Sequence, residues 1–508
     1  MKRPVDTSPA GSDDTMNNGI ILLLILAAYF AVLLLIGRFS GGKSDDNSNF
    51  FLAGKSSPWW LVAIGMIGTS ISGVTFISVP GMPLTIEMTY MQMVLGFVVG
   101  YIAIAKILLP LYYRLGLTSI YTYLEHRFGL CSHKTGAVFF FISKIIGAAA
   151  RLYLVVLILQ RIVLAGWNIP FWATALAVVL LIWLYSHRSG MRTIVRTDAL
   201  QTVFMIGALL LILAQLMTRM HLDVQGVVDT VRASGLERVF VFDDWQSKQN
   251  FFKQFFSGIF ITIVMSGLDQ DIMQKNLSIR TLREAQKNMY IYGTAFVPVN
   301  LLFLVLGILL VAYAGQAGIA LPSKTDELLP LMATDYLGFG VLLLFSIGIV
   351  AAAFSSADSA LTALTTSFCV DLLGVNRRSA AEAVTLRKRA HVGISLLFFL
   401  IICVIEALND TSVIDAIYTI AGYTYGPLLG LFVYGLFMKG TPRDRYVPWV
   451  ALLSPILCYA LQRWLAGAFG YQMGYELLML NGLITFAGLM LLSVAGRHSP
   501  DNSLVNDR

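Results

Sequence analysis

Long apolar runs recur along the chain, each of about twenty positions, the length at which an α-helix crosses a hydrocarbon core of roughly 30 Å. Thirteen are counted, at approximately 18–37, 58–82, 88–112, 135–165, 168–186, 194–219, 252–274, 288–315, 328–373, 390–407, 411–438, 447–466 and 473–496. The three longest exceed one crossing and are expected to tilt, break or extend beyond the bilayer. Between the runs, Lys and Arg collect in every second loop. The clusters are Arg38, Lys43 and Lys55; Arg114, Arg127 and Lys134; Arg188, Arg192 and Arg196; then Lys275, Arg280, Arg283 and Lys287. Arg377, Arg378, Arg387, Lys388 and Arg389 follow, and Lys439, Arg443 and Arg445 come after them. The alternate loops are poor in both residues. By the positive-inside rule the N-terminus is expected outside and the C-terminus inside, in a bacterial-type inner (plasma) membrane.

Composition agrees with this pattern. The 508 residues are 57% hydrophobic and only 13% charged, where soluble domains average roughly a quarter charged. The net charge of +7 is accounted for by the basic loops, so no nucleic-acid partner is expected. Cys131, Cys369, Cys403 and Cys458 are scattered, with neither zinc spacing nor a disulfide framework. The first 15 residues are polar and expected to be disordered, with Met16 an alternative start. GRFSGG after the first run offers no A-x-A cleavage site.

No soluble domain is attached. The longest polar insert lies at about 220–251 on the expected outer side, and LSIRTLREAQKN (277–288) reads as a short amphipathic inner helix. Neither holds a nucleotide loop, a Ser/His/Asp arrangement or a metal-ligand cluster, so the chain is not expected to be an enzyme. The histidines (His126, His133, His187, His221, His391 and His498) fall in loops, at span ends or in the tail, where solvated interfacial roles are expected.

Two spans are expected to be discontinuous. IGMIGTSISGVTFISVPGMP (64–83) crowds glycines, hydroxyls and two prolines into one segment, a composition that weakens continuous helix. In IFITIVMSGLDQDIMQK (259–275) an apolar run meets Ser266-Gly267 and then Asp269 and Asp271. Broken helices in corresponding positions of two halves point to a transporter's central site. With one break opening each half, the topology fits a five-plus-five inverted repeat, although no repeat is visible as sequence identity.

The densest chemistry inside a span is AAAFSSADSALTALTTS (351–367), an aspartate among seven hydroxyls. On a helix Ser355, Ser356, Asp358 and Ser359 form a patch about one turn tall. Hard cations take oxygen ligands, and a carboxylate at membrane depth needs a partner cation or a proton. The bland alternative is that these are small packing residues, the better reading for Thr362, Thr365, Thr366 and Ser367. Asp198 is either a helix N-cap or partner of Arg192 or Arg196, or it pairs with Asp358 around a second cation. Lys144 and Arg151 share one span. Arg151, roughly 25 Å along the axis from Lys134, either faces a cavity and an anionic substrate or snorkels or balances a buried acid.

These motifs resemble the sodium/solute symporter family, which includes sodium/sugar, proline, sialic-acid and monocarboxylate carriers. GLDQDIMQKNLSIRTLREAQKN (267–288) matches its strongest internal signature, and GTSISGVTFISVPG (68–81), RTDALQ (196–201), AAAFSSADSALTAL (351–364) and YTYGPLLGLFVYGLF (423–437) agree in order. The resemblance covers roughly residues 18–440. It implies an all-α, LeuT-type five-plus-five fold of about 13 transmembrane helices. The implied divisions are a tail (1–17), an extra N-terminal helix and loop (18–56), a first repeat (57–219), the outer loop (220–251), a second repeat (252–438) and two C-terminal helices with a tail (439–508).

Carried over residue by residue, a first Na+ site falls on Gly68, Ile71, Ala352, Ser355 and Ser356. A second, present in some members, falls on Asp198, Ser355, Asp358 and Ser359, and Asp358 stands where such members often have Ser or Thr. Substrate positions fall on Ser70, Ser72 and Thr75. A second-helix polar position of some carriers falls near Val94, with Gln92 two residues away, and a third-helix position falls at Gly147. The wording SGVTFISVP and Arg151 together favour an anionic solute such as sialic acid or a monocarboxylate, with a sugar the alternative. The implied partners are sodium, a small-molecule substrate and the bilayer, with a monomer plausible. A transporter-like sensor is expected to continue into a soluble module, whereas this chain ends eleven residues after Arg497. A passive channel would ignore the sodium gradient.

Overall fold

The computed structural model describes residues 12–40, 47–162, 164, 167–187, 190–408 and 413–494. Expectations for the first eleven residues, Lys43, Arg188, His498 and the C-terminal tail fall outside them. Helix α1 (Ser12–Ser40) begins inside the stretch expected as a disordered tail. It is followed by α2 (Trp59–Ser70), α3 (Gly73–Ser78), α4 (Tyr90–Ala103), α5 (Leu130–Ile162), α6 (Phe171–Ser186) and α7 (Met191–Arg219). The polar insert contributes α8 (Val224–Ala233), capped by Asp223, whose carboxylate accepts Gly226 N at 2.7 Å. Then come α9 (Phe251–Thr262), α10 (Gln270–Leu277), α11 (Leu282–Ala317) and α12 (Gly338–Ser367). The remaining long helices are α13 (Ala380–Leu408), α14 (Val413–Phe437), α15 (Val447–Phe469) and α16 (Leu477–Leu492).

Eight described helices are long and apolar enough to cross a membrane, and two further spans are bent pairs. Both bends fall in the segments that the sequence marks as discontinuous. Trp59–Ser70 meets Gly73–Gly81 at 58°, and Phe251–Gly267 meets Gln270–Leu277 at 63°. At the first, Ile71 (ψ 76°) and Ser72 (ψ 169°) leave the helical region. At the second, Asp269 turns to ψ 121° and its side chain accepts Asp271 N at 2.9 Å, capping α10.

The longest run, 328–373, is broken, one of the outcomes its length allows. The break comes before α12, where Gly338 takes a φ of +75° that disfavours any side chain. One expectation is corrected: LSIRTLREAQKN is not a separate helix. Thr281 caps Glu284 N, and the segment becomes the start of the 36-residue α11.

The core packs α7 against α12 and against α2, and α5 against α12 and α14. Close approach of α2 and α7 rests on two glycines. A Cβ at Gly68 would lie 2.0 Å from Thr202 Oγ1, and one at Gly65 would lie 2.9 Å from Asp198 Cβ. The missing side chains seat Asp198 of α7 beside the end of α2.

Candidate functional site

The first bend interrupts the backbone ladder. Ile71 N still donates to Ile67 O (2.9 Å), and the ladder resumes with Phe76 N to Ser72 O (3.1 Å). Between them the carbonyls of Gly68 and Ile71 find no backbone donor among the described residues. α12 crosses at this point. Ser356 Oγ lies 3.0 Å from Thr69 O and 3.1 Å from Ala352 O, and Ser355 Oγ lies 3.1 Å from Thr69 Oγ1. Residues 351 to 367 are buried throughout. Loose carbonyls and paired hydroxyls from two helices thus meet in one buried seam.

The seam continues into a network of buried charge. Ser355 Oγ donates to Asp198 Oδ1 at 2.8 Å. Asp198 Oδ2 accepts Lys275 Nζ at 2.6 Å and Thr69 Oγ1 at 3.2 Å, and Lys275 also donates to Thr69 Oγ1. Lys144 Nζ contacts both oxygens of Asp269 at 3.1 Å and Asp271 Oδ2 at 2.8 Å. Ser359 donates to Asp271, and Tyr425 donates to Asp269 at 2.8 Å. Asp358 points to another neighbour, accepting Tyr185 OH at 2.8 Å and the backbone N of Ser359. Burying ions costs several kcal/mol each unless they are paired and hydrogen-bonded, and most of these are.

Beside the seam lies a cavity of about 140 Å³. Its walls include Ser70, Ser72, Thr75, Gly147 and Arg151. Ser70 also donates to, or accepts from, Tyr292 OH. Arg151 makes no ion pair among the described residues, whereas Lys144, one wall away, is fully engaged. Gln92 is committed elsewhere. It accepts Val241 N (3.0 Å) and donates to Gln249 O (2.8 Å), pinning the polar insert over α4. Val94 is buried and absent from the cavity wall. A larger space of about 460 Å³ shares Met82, Tyr90, Ile261 and Met265 with this cavity and reaches Lys248 and Gly474, in segments expected on the outer side.

The structure therefore brings Ser355, Ser356 and Asp198 against Thr69, which lies between Gly68 and Ile71 in the chain, and gathers Ser70, Ser72, Thr75 and Arg151 around one cavity. It turns Asp358 and Ser359 toward Tyr185 and Asp271. Asp198 is neither an N-cap nor a partner of Arg192, but sits inside α7 on Lys275. Lys275, which the loop pattern places in a basic cluster at the inner surface, is 1% exposed. His133 and His391 are likewise buried rather than solvated. His133 contacts Asp371 and Glu125, and His391 contacts Thr365 and Ser186. Thr69, Lys275 and Asp271 went unrecognised in the sequence. Their one local signal is the i, i+4 spacing of Asp271 and Lys275 just after a helix break.

A multi-pass helical membrane protein with two broken helices bordering an oxygen-rich seam has the architecture of a secondary transporter. The model of the sodium:solute symporter family matches residues 50–443, and the chain belongs to that family. Over 401 residues it is 25% identical to the sodium/sialic acid symporter SiaT of Proteus mirabilis, covering 76% of this chain and 78% of that protein. The human sodium/iodide cotransporter is also 25% identical, over 393 residues and 74% of this chain, but the match spans only 59% of that relative's length. A solved substrate-bound, outward-open Na+-coupled sialic acid symporter is similar at a TM-score of 0.79 and 21% identity, covering 93% of this chain and 97% of that one. That likeness shows the LeuT-type fold. The relatives matched are transporters, which fits a membrane-embedded carrier of a small molecule.

Proposed function

We propose that the chain is a sodium-coupled symporter that imports a small organic anion by alternating access. The observation that carries this reading is an Arg151 guanidinium without an acidic partner among the described residues, in a cavity that borders the seam of loose carbonyls and paired hydroxyls. Arg suits bidentate recognition of a carboxylate, and the names of relatives that carry sialic acid and monocarboxylates support an anionic solute. A neutral sugar would leave Arg151 without a counter-charge.

In this reading one sodium ion lies against Gly68 O, Ile71 O, Ala352 O, Ser355 and Ser356, bracing α2 against α12. Solute lies beside Ser70, Ser72, Thr75 and Arg151. A second sodium ion takes Asp198 and Ser355, with Asp358 and Ser359 adjacent. Charge supports a second cation: two ammonium groups, Lys144 and Lys275, pair with three buried carboxyl groups, Asp198, Asp269 and Asp271, while a fourth, Asp358, is held by Tyr185. The wider space opens toward the loops that alternate with the basic clusters, which the positive-inside rule assigns to the exterior. This fits a carrier of a bacterial-type plasma membrane, N-terminus outside, waiting for external sodium and solute. Two sodium ions and one monoanion carry one net positive charge inward, worth about 2.3 kcal/mol per 100 mV of potential on top of the sodium concentration gradient. We take the carrier to act as a monomer without nucleic-acid partners.

The test is a thermal-shift panel on the purified protein. Sialic acids, monocarboxylates, amino acids and sugars are compared in NaCl and in choline chloride. Stabilisation by an anion in sodium alone supports the reading; stabilisation by a neutral sugar alone overturns the anionic assignment.

A further inference from the structure

Five buried side chains on three helices, α5, α7 and α10 with its N-cap, alternate in sign along one line: Asp269, Lys144, Asp271, Lys275 and Asp198. The ammonium of Lys144 lies 3.1 Å from Asp269 and 2.8 Å from Asp271, and that of Lys275 lies 2.6 Å from Asp198 and 3.9 Å from Asp271 Oδ1. The two ends differ in surroundings. Asp269, Lys144 and Asp271 line the solute cavity, whereas Asp198 and Lys275 lie behind it, with Asp198 on Ser355. The line thus joins the cavity to the pocket proposed for the second sodium ion.

An ammonium is itself a monovalent cation, and Lys275 already holds one oxygen of the Asp198 carboxylate. A sodium ion arriving on that carboxylate meets a like charge at contact distance, which is strongly unfavourable in a buried site. The flexible four-carbon stem of Lys275 has a second acceptor within reach, because Asp271 Oδ1 is only 3.9 Å from its nitrogen. Asp271 is already neutralised by Lys144. When Asp271 receives Lys275, its hold on Lys144 weakens, and Lys144 faces the cavity that also contains Arg151.

We propose that Lys275 is a tethered counter-cation that sodium displaces from Asp198, and that Asp271 and Lys144 relay this displacement to the solute cavity as added positive charge. The proposal rests on the reading of Asp198 as a sodium ligand. By linkage the coupling is reciprocal: an anion that engages Lys144 draws Lys275 toward Asp271 and opens Asp198 to sodium.

Sodium alone serves as the probe. The purified full chain is titrated with NaCl against choline chloride at constant ionic strength, and stabilisation is followed by thermal melting. If the wild type shows no sodium-specific stabilisation, the sodium reading itself fails and this inference with it. Given a wild-type response, Lys275→Gln should lower the half-saturating sodium concentration by at least about fivefold. Lys144→Gln should lower it as well, because an unpaired Asp271 pulls Lys275 from Asp198. In the Lys275→Gln background the Lys144→Gln effect should shrink to within about twofold, the error of ordinary additivity. An unchanged half-saturation in Lys275→Gln, or fully additive effects of the two substitutions, overturns the relay and leaves the sodium reading standing. Should Lys275→Gln not fold, Lys275→Arg decides. Its guanidinium grips Asp198 through two hydrogen bonds, so half-saturating sodium should rise, and an unchanged value overturns the proposal.

Discussion

Lys275 Nζ lies 2.6 Å from Asp198 Oδ2, and both side chains are sealed from solvent. The contact ties the helix after the second break to α7, 77 positions earlier in the chain. Removing one partner of such a pair leaves the other charged and unpaired, a cost of about 3–5 kcal/mol. Lys275→Met should therefore melt well below the wild type in choline chloride, and sodium should recover more of the loss than it gains for the wild type. Equal sodium gains in the two proteins would argue against sodium binding at Asp198.

Ser356 has a narrower role. Its hydroxyl bridges the broken end of α2 and the carbonyl of Ala352. Ser356→Ala should raise the sodium concentration for half-maximal uptake several-fold, yet cost only about 1 kcal/mol of stability, the usual worth of one hydrogen bond. Unaltered sodium dependence would remove Ser356 from the first site.

Arg151 should act on the solute and not on sodium. Arg151→Gln should weaken binding of a carboxylate solute at least about tenfold, the loss of a charged hydrogen-bond pair. Arg151→Lys should recover part of it, since charge returns without the planar fork. Sodium-induced stabilisation without solute should persist in both. Full solute affinity in Arg151→Gln would show that the guanidinium serves some other partner.

Gly68 sets the distance between α2 and α7. A methyl group there would overlap Thr202 Oγ1 at 2.0 Å. Gly68→Ala should reduce the yield of folded protein, and Gly68→Ala with Thr202→Ala should regain part of it. A single variant that folds and transports normally would mean that the helices separate without consequence for the seam.

Asp358 is the unusual member of the α12 patch. Asp358→Ser should raise the sodium requirement or move the pH optimum of uptake while leaving the melting temperature near that of the wild type. If uptake keeps both its sodium and pH dependence, the carboxyl group serves only its bond to Tyr185.

Much of this was legible in the chain itself. Hydrophobic run lengths mark the spans, and glycine, hydroxyl and proline crowding locates both helix breaks, because backbone propensity acts over a few residues. The hydroxyl patch at 355–359 is visible for the same reason. What stayed hidden is pairing across distance. Lys275 sits among loop residues in sequence, and only the tilt of α10 after the bend at Asp269 carries it inward. Lys144 meets Asp269 over a separation of 125 residues. His133 and His391 look like span-end histidines, yet Asp371 and Thr365 draw them into the protein. Thr69 is one hydroxyl among several in its segment, distinguished only when α7 and α12 close on it.

The central claim is that the sodium gradient drives an organic anion through the Arg151 cavity. Proteoliposomes with an inward sodium gradient, supplied with a panel of labelled sialic acids and short monocarboxylates, test it directly. The account predicts that at least one accumulates above its external concentration and that the excess vanishes when a sodium ionophore collapses the gradient. Uptake that only equilibrates, or accumulation that survives the ionophore, would contradict it.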